Sequence, residues 1–249
     1  MNKCPYYDYG KSAPIEYGAF CSKHMIGIEK VNCKACQENN IDVTYNRFLT
    51  TEDKTLPDMD GNTLYFEQWS RPYEFKFVDQ FIDKNHIVLD ACCGSRYGFT
   101  HYLANRVNNV VGVDLLPAIM DLPKKDNITM IQEDIRYFQT PLKFHTIFCV
   151  SGLEHLGCSD NKGKCNTFQV FQAIKNLRTL LRPEGKIVLT IDYPVSLKSS
   201  WCGLDVRDFE NMVYEAGLKF IGNVDYNIPN NALYQSTWNL HCYTAVLGK

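Results

Sequence analysis

Three carboxylates recur where short apolar runs end: Asp90 after IVL, Asp114 after VVGV and Asp134 after ITMIQE. Asp114 follows Asp90 by 24 residues. An acid at the end of the second strand of such a unit is placed to accept hydrogen bonds from ribose hydroxyls. An acid after the third can accept from an exocyclic adenine amine. Between Asp90 and Thr100 lies ACCGSRYGF. Its small residues let a ligand approach the backbone, and the free N–H groups of a helix opening there attract an anion or carboxylate. Glu154 and His155, in SGLEHLG, have the side chains for proton transfer, because imidazole ionises near neutral pH. Cys33-x2-Cys36 is a knuckle-type metal pair that Cys4 and Cys21 complete to four thiolates, with His24 a substitute for either. Four thiolates suit Zn2+, with an iron–sulfur cluster as the alternative.

The elements that must position these residues begin near residue 63. Ile87–Leu89, Val110–Val113, Ile128–Ile131, Ile147–Val150 and Ile187–Ile191 are short, β-branched runs of the kind found in buried parallel strands. Leu64–Ile82 reads as helix. Thr167–Leu181 places Phe168, Phe171, Ile174, Leu177 and Leu181 at spacings of three and four, and Pro183 with Gly185 stops that helix. Asp205 caps a helix whose face is Phe209, Met212, Val213 and Ala216, with Gly217 just past its end. Strands alternating with helices imply a parallel α/β sheet. Leu218–Val224 and Ser236–Leu247 have only a turn-rich loop between them, so the last strand is antiparallel. Brändén's rule places the three acids together at the carboxyl edge of such a sheet.

The 249 residues carry 26 Lys and Arg against 28 Asp and Glu, a net charge of −2. That argues against nucleic acid as the partner, since binding its phosphates needs a basic surface. No apolar run is long enough for a membrane span, and the N-terminus MNKCPYYDYG has no apolar signal core, so a cytoplasmic protein is expected. There a disulfide framework is not expected, and most of Cys92, Cys93, Cys149, Cys158, Cys165, Cys202 and Cys242 read as small hydrophobes. Residues 1–60 read as a Cys-rich, metal-stapled extension and linker, and 61–249 as the catalytic domain.

The dinucleotide fingerprint G-x-G-x-x-G is absent. Instead LDACCGSRYG, GVDLLPAIM, QEDIRYF, FHTIFCVSGLEHLG and LRTLLRPEGKIVLTIDYP resemble, in order and spacing, the motifs of class I S-adenosylmethionine-dependent methyltransferases. EQWSRPYEFKFV is similar to a leading helix of the small-molecule and sugar-type members, and the likeness covers roughly residues 65–249. It implies a Rossmann-like sheet of seven strands with helices on both faces. It also implies roles: Asp90, Cys92 and Gly94 along the methionine end of S-adenosylmethionine (SAM), Asp114 and Leu115 at the ribose, Asp134 and Ile135 at the adenine, Ser151 facing the methionine and acceptor. Glu154 and His155 border the transferable methyl group and become candidates to activate the acceptor. Cys92 stands where the family usually has Gly and is tolerable if its φ is negative; Arg96 stands where the family often has another Gly, and His145 replaces the fourth-strand Asp. No Pro-Pro-aromatic clamp for nucleobase amines and no Pro-Cys nucleophile follows the fourth strand. The expected acceptor is a small molecule with a hydroxyl, a sugar or glycan precursor; an RNA or protein acceptor recruited by the N-terminal module, and a non-catalytic SAM-binding scaffold, are the rivals.

Overall fold

The computed structural model describes residues 44–56, 69–95, 98–123, 125–158, 166–195 and 202–249, together with the backbone of three two-residue strands near the N-terminus. Those three, β1 (Tyr7–Asp8), β2 (Phe20–Cys21) and β3 (Ile26–Gly27), form a small antiparallel sheet. The remaining elements run in order β4 (Arg47–Phe48), α1 (Arg71–Asp79), β5 (Ile87–Ala91), α2 (Phe99–Ala104), β6 (Asn109–Asp114), β7 (Ile128–Gln132), β8 (Phe144–Val150), α3 (Thr167–Leu180), β9 (Leu181–Pro194), α4 (Val206–Glu215), β10 (Lys219–Phe220), β11 (Tyr234–Gln235) and β12 (Leu240–Gly248).

The main sheet has the order β10-β12-β9-β8-β5-β6-β7, with β4 and β11 pairing onto β12. β7, β6, β5, β8 and β9 are parallel, and β12 runs antiparallel to β9 and β10. Residue alternation along each strand divides the core between the two faces. Leu89, Val111, Ile147 and Ile187 face α3 and α4; their neighbours Val88, Val110, Phe148 and Val188 face α1 and α2. The sheet is therefore apolar on both sides, which is why its strands read as continuous apolar runs.

Several boundaries differ from the sequence reading. The helix expected over Leu64–Ile82 runs Arg71–Asp79, and residues 64–68 of that span lie outside the described set. α3 stops at Leu180, as Pro183 and Gly185 predict, but the strand expected over Ile187–Ile191 is longer, Leu181–Pro194, with a register shift against β8 between Phe144 and Thr146. Phe168 is 66 % exposed; the buried face of α3 is Val170, Ala173, Ile174, Leu177 and Leu180. Cys158 and Cys202 are bonded to each other rather than free, which the expectation of a reduced chain missed. Their partnership is set by tertiary proximity, since 44 residues separate them.

Candidate active site

The carboxyl ends of β5, β6, β8 and β9, with the chain after β7, open into one cavity of about 830 Å³. Asp90, Cys92, Gly94, Asp114, Leu115, Asp134, Ile135, Ser151 and His155 all line it. That volume lies within the range of small-molecule sites. A Cβ added at Gly94, whose φ is +58°, would meet nothing within 4 Å, so the loop backbone faces open space on the side where a ligand would lie.

Asp114 ties the site together. Gly94 N–H donates to one of its oxygens at 2.8 Å and Leu116 N–H to the other at 2.9 Å. A carboxylate has about four acceptor positions, so both oxygens can still receive ribose hydroxyls. Asp90 is 2 % exposed and accepts from Thr100 Oγ1 at 2.6 Å. Burial pushes its carboxyl up to about 7, against the Thr100 bond and with help from Asp114. Asp134 is gripped by the Arg136 guanidinium, whose Nε lies 2.9 Å from each oxygen; this holds its carboxyl below the usual range. Its capacity for an adenine amine is thus partly used, and Glu133 stands beside it on the cavity wall.

Cys92 departs from expectation: its φ is +56°, not negative. The turn after β5 takes the left-handed region that glycine occupies more easily, and Cys92 bears the cost. Gly152 accommodates that side chain, for a Cβ there would fall 2.6 Å from the Cys92 Cβ. The Cys149 hydrogen bond and burial push the Cys92 thiol up, and burial does the same for Cys93, so neither supplies a thiolate nucleophile.

Glu154 and His155 occupy a single helical turn, Leu153–His155, directly after β8. His155 reaches the cavity wall, whereas Glu154 is fully buried behind it, with one oxygen accepting from Asp192 N–H at 3.2 Å. Burial, then the nearby Asp192, pushes Glu154 well above the ordinary carboxyl value. Burial, with Arg71 adding to it, pushes His155 down to about 4. At neutral pH the ring is uncharged.

Sequence reasoning missed a buried polar group beneath these residues. Glu74 on α1 is fully buried and accepts from Arg71, from Ser151 Oγ and from Thr190 Oγ1 at 2.6 Å. Burial raises its carboxyl, but Arg71 and the hydroxyl bonds outweigh it and hold the group below the ordinary value. Asp192 on β9, 7 % exposed, lines the cavity, and burial with the Glu74 charge pushes it up to about 7. The signal was present in the sequence: RPYE interrupts an apolar helix pattern and Asp192 closes an apolar strand. His86 and His145 lie at the far end of the strands, where Ile87 N–H donates to His145 Nδ1 and the two rings stack; His101 meets the Pro123 carbonyl and His241 the Leu233 carbonyl. Of the four cysteines expected to bind metal, Cys4, Cys33 and Cys36 lie outside the described residues, and Cys21 is described only as backbone in β2.

This sheet order is that of the SAM-dependent methyltransferase fold, and the cavity opens at the carboxyl edge of its parallel strands. Residues 73–191 match the family model of FtsJ-like methyltransferases. Among solved structures, the fold is shared with 1,6-didemethyltoxoflavin-N1-methyltransferase of Burkholderia thailandensis, at 14 % identity and a TM-score of 0.54 over 76 % of this chain and 82 % of that one. It is shared with the N-methyltransferase NodS of Bradyrhizobium japonicum, at 18 % identity and 0.50 over 76 % and 89 %. Magnesium protoporphyrin IX methyltransferase of Synechocystis aligns at 15 % identity and 0.51 over 76 % and 89 %. No curated protein matches the chain in sequence. Among the described residues no helix is long and apolar enough to cross a membrane.

Proposed function

We propose that the chain transfers the methyl group of SAM to a hydroxyl of a small-molecule acceptor, a sugar or glycan precursor being the class its motifs resemble. The observation that carries this reading is that every residue assigned to SAM from the sequence lines one cavity, with His155 on the same wall. The reaction is an in-line displacement: the acceptor oxygen bonds to the methyl carbon, the carbon–sulfur bond breaks, and the hydroxyl proton leaves. The sulfonium arrives activated, so the protein has to align the acceptor and ease proton loss. Asp114 would hold the ribose, Asp134 and Ile135 the adenine, Asp90, Cys92, Gly94 and Ser151 the methionine end, and His155 with Glu154 would act on the acceptor. Calorimetry tests the first part. Wild-type protein should bind SAM, and Asp114→Ala should weaken binding by about 1–3 kcal/mol. A wild type that binds no SAM sinks the reading.

Two of the solved neighbours carry small-molecule acceptors in their names, which supports a small acceptor here. The FtsJ-like match makes RNA the second reading. The net charge of −2 weighs against it. We also propose, from the sequence alone, that Cys4, Cys21, Cys33 and Cys36 hold one Zn2+ in an N-terminal module of residues 1–60. Elemental analysis should find about one zinc per chain, released by Cys33→Ser with Cys36→Ser. Zinc that stays bound in that double variant would refute the assignment.

A further inference from the structure

We propose that Glu154, His155 and Asp192 form a divalent-cation site that holds the methyl acceptor through a pair of its oxygen atoms. The acceptor half of this statement rests on the methyl-transfer reading above.

One ligand atom from each of the three residues lies within 4.8 Å of the others. A six-coordinate ion with bonds of roughly 2.1 Å sets neighbouring ligand atoms about 3 Å apart and opposite ones about 4.2 Å, so small side-chain adjustments close the set. A second observation points to a ligand. Glu154 Oε2 and Asp192 Oδ1 are buried and have no hydrogen-bond partner. Their residues are 0 % and 7 % exposed. Such groups are nearly always satisfied in native proteins, and a bound ion is one of the few explanations for an exception.

Charge leads to the same place. Three buried carboxyl groups, Glu74, Glu154 and Asp192, lie within the electrostatic reach of one partly buried guanidinium, Arg71. Arg71 pairs with Glu74, which also takes the Ser151 and Thr190 hydroxyls. A dication seated between the Glu154 and Asp192 carboxyl groups would take the place of their protons. Two carboxylate oxygens with one imidazole nitrogen form a donor set open to Mn2+, Fe2+ or Zn2+, and Mn2+ is the one that magnetic resonance reads directly.

The geometry also gives the ion a direction. Glu154 is behind the cavity wall, while His155 and Asp192 form part of it. An ion seated on all three keeps its remaining positions toward the cavity, where two oxygens of one acceptor can bind together. There it orients the acceptor and lowers the pKa of the bound hydroxyl, whose proton passes to water as the carbon–oxygen bond forms. The acceptor class is then a hydroxyl next to a second oxygen.

The test uses the full chain, freed of metal on a chelating resin and titrated with Mn2+ while free Mn2+ is followed by electron paramagnetic resonance. Wild type should bind one Mn2+ outside the cysteine segment, so Cys33→Ser with Cys36→Ser should bind it equally well. Glu154→Gln and Asp192→Asn should each weaken it at least tenfold, with SAM calorimetry on the same samples unchanged, which also reports that the variants are folded. Mn2+ should raise the thermal midpoint of wild type and not of Asp192→Asn. A wild type that binds SAM but no Mn2+, or a Glu154→Gln variant that binds Mn2+ as tightly, overturns the site. Mn2+ binding without SAM binding overturns the acceptor role and the methyl-transfer reading together, leaving a bare ion site.

Discussion

His155 shows how burial resets a side chain's chemistry. Imidazole in water titrates near 6.5, in the range that makes it attractive as a base. Here burial, with Arg71 behind it, pushes His155 down to about 4. The ring is thus uncharged across pH 6–8, able to accept a proton or ligate an ion at once. Turnover plotted against pH should therefore show no step near 6.5 from this group; its loss of function lies on the acid side, near 4. His155→Ala and Glu154→Gln, measured separately, should each lower kcat by about 10²–10⁴ while SAM affinity stays near wild type. Near wild-type turnover in both variants would leave alignment as the only catalytic device. Loss of SAM binding in either would move that residue into the SAM site or the fold. The pair was legible in SGLEHLG, but its division of labour was not. Adjacent residues on a single helical turn diverge, so one lines the cavity and the other is sealed behind it.

At the level of elements, the best-read segment is α4, expected from Asp205 to Ala216 and found at Val206–Glu215. Its cap, face and stop are all local. Asp205 accepts from Arg207 N–H at 2.8 Å and, more weakly, from Asp208 N–H at 3.4 Å. Val206, Phe209, Met212 and Val213 are buried, and Gly217 takes a φ of +73° after the last turn. Asp205→Ala should cost about 0.5–2 kcal/mol in urea unfolding, because two helix N–H groups lose their acceptor. A midpoint equal to wild type would mean that packing alone holds the end. The start of β9, expected at Ile187 and found at Leu181, was missed for the opposite reason. Pro183 and Gly185 disfavour helix locally, but pairing between β8 and β9 draws the same residues into a strand. Cross-strand partners 40 residues away give no periodic signal.

Across the whole molecule, one covalent tie links the chain after β8 to the chain after β9, both of which leave the carboxyl edge where the cavity opens. A bridge across 44 residues limits the unfolded ensemble, so Cys202→Ser, or reductant on wild type, should lower stability by roughly 2–4 kcal/mol. Unfolding curves that coincide with and without reductant would show that the tie contributes nothing. The sequence by itself determined the parallel sheet with its antiparallel end and the acids at its carboxyl edge, because strand alternation, caps and turn residues act within a few positions of themselves. It also carried, in order, the motifs that resemble those of methyltransferases. Only the tertiary structure decided what lies beneath the site. Glu74, Ser151, Thr190 and Asp192 come from α1, the end of β8 and β9, up to 118 positions apart in the chain, and meet because the sheet places those elements side by side. The left-handed turn at Cys92, the Asp134–Arg136 pair and the Cys158–Cys202 bridge belong to the same category. Each is fixed by the space and charge around it in the folded chain, where burial in a poorly polarisable interior makes every polar partner count for more than it does in water.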